Sequence, residues 1–518
     1  MHCFSTLLPV LLPLLLIASA RGAAEQHAAD AGRPQQERAI GVVFHDANGN
    51  GARDDGEAGL EDVGVSNGID VVRTDAHGSY EIPLNDFGVV FVIKPRGFTS
   101  PVDLEQMLPR FYYLHRPWGS PGWLPYAGVP ATGRAPASID FPMQSQVEPE
   151  RFRILVFGDP QSRNLLEVDY LRRDLIEPML AERVESNAAF GVSLGDLTFD
   201  NLHLFEPQNR VIARLGIPWY NVIGNHDINT GQPDRHDDET FERVFGPGTY
   251  AFQWGSVFFI VLDNVYSTGD GWKPKFGRER IRFVRNALTM APPDALVVAM
   301  AHCPIGDVHD LQDMFDALAS GENGTARRVL FLTAHYHQQF HELYGPEDGW
   351  QGRAPLHHLV HATACGNWWG GEKDERGIPD ATMRCGTPNG YSIIEFDRDQ
   401  YMISYRAASM PADYQMSIQF PSELAITEMS DTRLLVNVFS GNEKTRVQAR
   451  LVSEKGFDTS VVLSRDGTSR HVWVGMLRST AGEALQPGPH RILVEATDMH
   501  GVTHRAEHEV LILPEAVR

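Results

Sequence analysis

The chain has 518 residues and a formal net charge of −22 at pH 7. At roughly 150 residues per domain, this length predicts about three domains. With 42% hydrophobic and 22% charged residues, the composition is typical of a folded chain and not of a disordered one. The acidic balance excludes a non-specific nucleic-acid binder, because such proteins need a basic surface to displace counterions. It also opposes an anionic substrate unless something locally positive receives it.

The first twenty residues have the pattern of a secretory signal peptide. An apolar run extends from Leu7 to Ile17, and the small residues Ala18-Ser19-Ala20 that follow are typical of a cleavage site. The run is short for a membrane-spanning helix, and a membrane anchor is the alternative. We therefore expect residues 1–20 to be removed and the protein to be exported, to the periplasm or the extracellular space, with no integral membrane span.

Residues 38–145 predict a small antiparallel β-sandwich, because short alternating runs are separated by Gly, Asn and Asp clusters. Its segment Asp46–Glu57 fits a twelve-position calcium loop, similar to those in β-sandwich modules of bacterial surface proteins. The oxygen-bearing positions are Asp46, Asn48, Asn50, Ala52 (through its backbone carbonyl), Asp54 and Glu57. An acidic turn without metal is the alternative. The Pro-rich stretch 117–142 predicts a linker or a long extended connection.

Residues 150–408 alternate apolar strand-like runs with helical patterns, which predicts an α/β domain. One helix is predicted from Leu165 to Met179, since apolar residues recur there at three- to four-residue steps after Ser162, a candidate N-cap. From 415 to 518 β-rich runs return and predict a C-terminal β-sandwich.

Five strand-like runs of the α/β region end in polar residues of the metal-ligand type. These residues are Asp159 and Gln161, Asp196, Asn225 followed by His226 and Asp227, His302, and His335 with His337. Ligands of open α/β sheets bind beyond the carboxyl ends of strands, so we expect these side chains to share one crevice. Carboxylate, amide and imidazole together suit two divalent or trivalent ions such as Mn, Fe or Zn. The absence of thiolate argues against a structural zinc site.

The order Asp, Gly-Asp, Gly-Asn-His-Asp, His and His-x-His resembles the calcineurin-like metallophosphoesterase superfamily, which includes purple acid phosphatases. The resemblance implies two β-sheets sandwiched by helices and hydrolysis of phosphate mono- or diesters by a metal-bridging hydroxide. The net charge of −22 favours a small substrate over a long polyanion. His226, oriented by Asp227, corresponds to the family's catalytic pair. The resemblance also implies a first metal held by Asp159, Gln161, Asp196 and His337, and a second held by Asp196, Asn225, His302 and His335.

Gln161 departs from the family pattern, which usually has Asp-x-His at the first motif. Either the Gln161 amide oxygen binds the first metal, or the side chain only hydrogen-bonds a metal-bound water. The departure also supports an alternative function, a cell-surface binding protein whose phosphoesterase-like domain has lost activity. The intact Asp196 and the complete Gly-Asn-His-Asp motif favour the enzyme.

Glycine-supported loops further along the chain are candidates for a substrate pocket. The candidate pocket residues are Asn201, Trp368, Trp369 and Tyr391, although the tryptophans could equally pack within their loop. Cys365 and Cys385 either pair around that loop or are two buried thiols. We expect four further histidines, His341, His357, His358 and His361, to be surface residues and not ligands. Neither the substrate, the metals nor the oligomeric state follows from the sequence.

Overall fold

The structure is a computed structural model that describes residues 37–321, 326–454, 456–478 and 485–515. The signal peptide predicted for residues 1–20 lies outside the described residues. Within the described part of the chain, no helix combines the length and the apolar character that crossing a membrane requires.

Ten strands occupy the region before residue 146. They are β1 (Arg38–His45), β2 (Gly64–Ser66), β3 (Val71–Arg73), β4 (Ser79–Pro83), β5 (Gly88–Ile93), β6 (Phe98–Thr99), β7 (Val102–Asp103), β8 (Leu108–Pro109), β9 (Tyr112–His115) and β10 (Phe141–Ser145). They form two four-stranded sheets, in the orders β4-β1-β10-β6 and β3-β2-β5-β9, and a β7-β8 ribbon. The expectation of a purely antiparallel arrangement is wrong, because β1 pairs β10 in parallel. A parallel neighbour needs a long connection, and β10 returns to β1 only after the Pro-rich stretch.

Thirteen strands follow in the α/β region. They are β11 (Arg151–Phe157), β12 (Ala188–Ser193), β13 (Trp219–Asn221), β14 (Tyr250–Trp254), β15 (Val257–Val261), β16 (Val265–Ser267), β17 (Trp272–Pro274), β18 (Leu296–Met300), β19 (Arg328–Thr333), β20 (Phe340–Tyr344), β21 (Leu356–Val360), β22 (Gly390–Asp397) and β23 (Gln400–Ala407). One sheet has the order β13-β12-β11-β22-β23 and the other β14-β15-β18-β19-β21-β20. Their facing sides share one apolar core that includes Ile154, Phe190, Phe259 and Val297. The five strands predicted to precede the polar motifs are confirmed.

The helices lie between these strands and around the sheets. They are α1 (Leu165–Leu171), α2 (Glu177–Glu182), α3 (Phe205–Ala213), α4 (Asp234–Asp237), α5 (Glu239–Phe245), α6 (Gly277–Ala287) and α7 (Leu311–Ala319), and a π-helical turn, Arg172–Ile176, joins α1 to α2. The predicted helix is therefore present, but its N-cap is Asn164, whose side chain accepts from the N–H groups of Leu166 and Glu167. Ser162 is not the cap because it is still part of an extended bridge to Thr198.

The last eight strands form one hydrogen-bonded network, in the order β24-β26-β29-β28-β27-β30-β31-β25, around a separate apolar core. They are β24 (Met416–Gln419), β25 (Glu423–Ala425), β26 (Leu434–Val438), β27 (Arg446–Val452), β28 (Asp458–Arg465), β29 (Val472–Gly475), β30 (Gly488–Thr497) and β31 (Thr503–Leu513). This region is joined to the α/β region by side-chain hydrogen bonds, among them Asn437 Nδ2 to the Cys385 carbonyl at 2.9 Å.

The four histidines expected at the surface are not there. His357, His358 and His361 are 2%, 0% and 0% exposed, and His341 is half-buried with its Nδ1 2.8 Å from His357 Nε2. His357 and His358 are buried because β21 lies between β19 and β20 within the six-stranded sheet, and His361 directly follows that strand.

Candidate metal centre

The predicted ligands meet where strands of both sheets end. Asp159 and Gln161 follow β11, Asp196 follows β12 and Asn225 follows β13, while His302 and His335 follow β18 and β19 of the other sheet. Five of the seven predicted ligands are buried, and His335 and His337 are half-buried. The structure therefore brings together the residues that the sequence motifs singled out.

His302 is the point at which four donor atoms converge. Its Nε2 lies 3.1 Å from Asn225 Oδ1, 3.1 Å from His335 Nδ1 and 3.2 Å from Asp196 Oδ1. Its Nδ1–H donates to the Leu194 carbonyl at 2.9 Å, so the lone pair of the imidazole is on Nε2. Two atoms bound to one ion at about 2.1 Å are roughly 3.0–3.4 Å apart in octahedral or tetrahedral geometry. The spacing fits a cation in contact with all four side chains.

Asp159 and His337 form the second half of the cluster. His337 donates from Nδ1 to the Gly366 carbonyl at 2.5 Å and directs Nε2 to within 3.3 Å of Asp159 Oδ2. That carboxylate oxygen is fully buried and has no hydrogen-bond partner among the described residues. A buried oxygen without a partner is costly, and a metal ion would supply the missing interaction. The donor set therefore fits a metal centre.

The electrostatics of the cluster point the same way. Burial opposes ionisation of Asp196, but the charge of His302 outweighs it and lowers the pKa of Asp196 to about 2. Burial also disfavours a charged His302, yet Asp196 raises the pKa of His302 to about 9. Burial and the His302 charge together lower the pKa of His335 to about 4. The lone pairs and charges that converge here favour a positive charge at this point, which a bound cation would supply.

The backbone of the cluster is strained. Five of the seven predicted ligands have positive φ, namely Asp159 (24°), Gln161 (30°), Asp196 (46°), His335 (71°) and His337 (52°). Non-glycine residues rarely adopt this region, and such residues concentrate at functional sites. The strain indicates that the positions of these side chains, and not local backbone preference, determine the loop conformations.

Two motif glycines make room for the cluster. A Cβ on Gly224 would lie 2.1 Å from the Asp196 nitrogen, and one on Gly195 would lie 2.6 Å from His302 Nδ1. The glycines of Gly-Asp and Gly-Asn-His-Asp are therefore required by close approach of the neighbouring loops.

Gln161 is held by hydrogen bonds at both ends of its amide. Its Nε2 donates to Asp196 Oδ2 at 2.8 Å, and its Oε1 accepts from Trp368 Nε1 at 2.7 Å. An indole nitrogen can only donate, so this pairing fixes which amide atom faces Asp196. In this arrangement Gln161 presents an N–H group, which cannot bind a cation, and ligation through Oε1 requires the amide to turn away from Trp368. Its role as a ligand stays a prediction.

His226 is oriented by Asp200. The His226 Nδ1 lies 2.8 Å from Asp200 Oδ1, and the imidazole stacks on Phe199 with ring centroids 4.4 Å apart. The His226 side chain is 26% exposed, so its Nε2 is available to a substrate. The only signal for Asp200 in the sequence is its position shortly after the Gly-Asp motif.

Asp227 has a different environment from the one expected. Its carboxylate is fully buried and accepts backbone N–H groups from Leu197 at 2.9 Å, Thr198 at 3.1 Å and Gly224 at 2.9 Å. These contacts tie the Gly-Asp loop to the Gly-Asn-His-Asp loop. Asp227 therefore stabilises two loops that carry predicted ligands. The residue in contact with His226 Nδ1 is Asp200 and not Asp227.

Of the two candidate pocket tryptophans, only Trp368 is at the centre. Its ring centroid is 4.3 Å from that of His337. Trp369 is 4% exposed and packs in the apolar cluster with Tyr170, at a centroid distance of 6.0 Å. The pocket prediction is wrong for Trp369, because consecutive residues of the turn point in opposite directions.

The pocket prediction also fails for Tyr391. This residue lies in β22, is 5% exposed and packs at 6.2 Å from the Phe157 ring. The Tyr391 ring is therefore enclosed in the apolar cluster beside the sheet and does not line the crevice. Asn201 is half-buried beside Asp200 and its side chain makes no capping hydrogen bond, so its role in substrate binding stays a prediction.

Further aromatic residues that the sequence motifs did not indicate surround the centre. Trp272 lies edge-on to His335, with centroids 5.5 Å apart. The Pro-rich stretch also reaches the rim, because the Tyr126 hydroxyl donates to the Asp200 carbonyl at 2.7 Å and Trp123 Nε1 donates to Gln232 at 3.2 Å. The stretch is thus packed against the α/β region and is not a free linker.

Two remaining predictions concern the cysteines and the calcium loop. Cys365 and Cys385 are free thiols, as in the second of the two alternatives, but only Cys365 is buried and Cys385 is half-buried. In the loop, the buried Asp46 accepts the N–H groups of Gly49 at 2.8 Å and Gly51 at 3.0 Å, and Glu57 Oε1 accepts that of Ala47 at 2.9 Å. Calcium binding there stays a prediction.

Comparison with known proteins gives two matching family models. The model described as the N terminal of calcineurin-like phosphoesterase matches residues 47–121, and that described as the C terminal of calcineurin-like phosphoesterase matches residues 358–469. No curated protein matches the sequence.

Among solved structures, the chain is similar to the purple acid phosphatase PPD1 from yellow lupin (Lupinus luteus) seeds, at 11% identity and a TM-score of 0.36, over 72% of this chain and 67% of that chain. It is also similar to CopC from Methylosinus trichosporium OB3b, at 10% identity and a TM-score of 0.15, over 19% of this chain and 90% of that one. A third is the Clostridium perfringens spore cortex lytic enzyme SleM, at 11% identity and a TM-score of 0.16, over 71% of this chain and 100% of that one.

Proposed function

We propose that the chain, which belongs to the calcineurin-like phosphoesterase superfamily, is an exported metal-dependent phosphoesterase. It hydrolyses mono- or diesters of a small phosphorylated substrate at a centre of two divalent or trivalent ions, Mn, Fe or Zn. The observation that carries the proposal is the convergence on His302 Nε2 of oxygen and nitrogen atoms from Asp196, Asn225 and His335, all within 3.2 Å.

The chain's own residues divide the work of binding and proton transfer. Asp196 lies between the two groups of ligands, with Oδ1 facing His302 and Oδ2 facing Gln161. Two ions, when bound, supply the nucleophile from water and neutralise the charge of the phosphoryl oxygens. With Nδ1 held by Asp200, His226 has Nε2 free to hold the proton that the leaving oxygen takes up.

The proposal is tested by hydrolysis of an aryl phosphate and a bis-aryl phosphate, with metal content measured on the same protein. We expect turnover of at least one ester, and its loss in the Asp196→Asn and His302→Ala variants. Asp313→Asn, an exposed carboxylate in α7, is the matched control and should keep full activity. A folded, metal-loaded protein that hydrolyses neither ester would contradict the proposal and support a cell-surface binding protein with an inactive phosphoesterase-like domain.

Export is part of the proposal and has its own test. Cleavage after Ala20 would leave Arg21 as the first residue of the mature protein. Expression with the complete N-terminus in a secreting host, followed by N-terminal sequencing of the material outside the cytoplasm, should give that residue. Full-length protein retained in the cytoplasm or in the membrane would contradict it.

A further inference from the structure

A second cluster of metal-ligating side chains lies at one end of the N-terminal strands, away from the centre described above. Glu37 immediately precedes β1, and its carbonyl accepts the N–H of Leu84 at 2.8 Å. Asp86 lies in the turn between β4 and β5. His115 ends β9, and the β5–β9 ladder sets it opposite Gly88. Two strand ladders and one turn therefore bring three distant parts of the chain together.

His115 is the member of the cluster whose buried ring nitrogen lacks a hydrogen-bond partner in the described part of the chain. Its side chain is completely buried, and its Nε2 has no hydrogen-bond partner among the described residues. On the other side of the ring, Nδ1 lies 3.4 Å from the Tyr113 hydroxyl. Glu37 Oε2 lies 3.7 Å from Nε2, which is too long for a hydrogen bond. A buried polar atom left in this way is unusual in folded proteins.

The three side chains are spaced for a common ion. One donor atom from each of Glu37, Asp86 and His115 lies within 4.8 Å of the other two. Two atoms that bind one ion at about 2.1 Å are at most about 4.2 Å apart. The Glu37–His115 distance of 3.7 Å already satisfies this limit, and the exposed Asp86 has room to close the remainder.

We propose that Glu37, Asp86 and His115 bind one divalent cation of intermediate hardness, of the Zn²⁺ class, with water completing its coordination. The imidazole selects against Ca²⁺ and Mg²⁺, which prefer all-oxygen sites, and the two carboxylates balance the charge of a divalent ion. Because the three ligands come from separate segments, the ion fixes the N-terminal end of β1 to the β4–β5 turn and to β9.

The position of the site gives the ion a structural role at the contact with the α/β region. The neighbouring Arg116 is buried and pairs with Glu239 at 2.8 Å and with Glu242 of α5. Phe87, next to Asp86, lies edge-on to His236 of α4 with centroids 4.8 Å apart. A cation that holds the β4–β5 turn therefore also holds Phe87 against α4.

The test is metal counting on the full chain. The protein is stripped with a chelator, reloaded with Zn²⁺, passed through a desalting column and measured for zinc per chain and for thermal unfolding midpoint. Asp86→Asn and Glu37→Gln change exposed side chains and should fold, whereas His115→Ala changes a buried one. Glu61→Gln is the matched control, because Glu61 is another exposed carboxylate of the N-terminal β-region.

We expect the Asp86, Glu37 and His115 variants each to bind one zinc fewer than the wild type and Glu61→Gln to bind the same number. The zinc-dependent rise in the unfolding midpoint should shrink in the three site variants, while phosphoesterase activity in Asp86→Asn is retained. Unchanged zinc content in both Asp86→Asn and Glu37→Gln would overturn the proposal, whatever the His115 variant does. Loss of zinc and of activity together in Asp86→Asn would assign the lost ion to the other centre and would equally overturn it.

Discussion

Changing Asp227 or Asp200 to asparagine should have different effects, one on stability and the other on turnover. Sequence reasoning pairs Asp227 with His226, whereas the structure buries Asp227 against three backbone N–H groups and sets Asp200 at His226 Nδ1. Asp227→Asn should therefore act mainly on stability and Asp200→Asn mainly on turnover.

The magnitude follows from the contacts of each carboxylate. Asp227 Oδ2 accepts from Leu197 and Gly224, and Oδ1 accepts from Thr198. In its best orientation, an asparagine at position 227 keeps its oxygen as the acceptor for the N–H groups of Leu197 and Gly224. Its NH₂ group then faces the N–H of Thr198. One charge-assisted hydrogen bond is lost and two donors are left facing each other, which costs about 3–5 kcal/mol of unfolding free energy. The Asp200 side chain is 54% exposed, so Asp200→Asn should change stability by no more than about 0.5 kcal/mol.

The assay combines urea unfolding of the metal-free proteins with steady-state kinetics of the metal-loaded ones. Asp227→Asn should lower the urea midpoint without changing the slope. Asp200→Asn keeps an oxygen that can accept from His226 Nδ1 but removes the negative charge beside the imidazole, and it should lower kcat about ten- to a hundredfold, with an unchanged midpoint. The assignment of Asp200 as the partner of His226 is refuted if Asp227→Asn has the urea midpoint of the wild type but no turnover, while Asp200→Asn retains its turnover. That result would support the pairing of Asp227 with His226 expected from the sequence.

Three further changes test the geometry of the centre and of the core. Gly224→Ala should abolish metal binding, measured by metal content, since its Cβ would meet the Asp196 nitrogen at 2.1 Å. Trp368→Phe removes the donor that holds Gln161, so Oε1 can turn inward and metal affinity in a chelator competition should rise up to about fivefold; unchanged affinity would speak against ligation. Burial lowers the pKa of His361 to about 4, while the unfolded chain takes up this proton near pH 6.5. Stability should therefore fall as pH drops below 6.5, by about 2 kcal/mol at pH 5 from this group, and His361→Gln should show a smaller fall in the urea midpoint between pH 7.5 and pH 5.

The sequence was informative where a strand ends in a motif. Asp159, Asp196, His302 and His335 could be placed in one crevice because the ends of neighbouring parallel strands meet at the same sheet edge. The two sheets meet face to face, so strands of different sheets also end there. Motif order carries this information without any knowledge of side-chain conformation.

Contacts made by loops could not be predicted in the same way. Trp368 and Trp369 are adjacent in sequence, yet one lies on His337 and the other in the core. Both residues have positive φ, 59° and 48°, and nothing in a pair of tryptophans predicts that backbone conformation. Asp200 also has positive φ (56°), and its contact with His226 could not be predicted from its place in the sequence.

The neutral side chain of Gln161 affects the net charge of the metal centre and therefore the choice between substrates. Of the seven predicted ligands, only Asp159 and Asp196 are anionic, so two divalent ions would leave the centre with two positive charges before a hydroxide forms there, and the excess positive charge favours a monoester dianion over a diester monoanion. Gln161→Glu removes one of these positive charges. At about 5 Å and an effective dielectric constant of about 20, one unit of charge is worth about 3 kcal/mol. The variant should therefore lose kcat/KM for an aryl phosphate at least tenfold more than for a bis-aryl phosphate, which carries one negative charge. Gln161→His, which is neutral, is the matched control and should leave the ratio near that of the wild type. An equal loss on both esters would show that the net charge of the centre does not select the substrate.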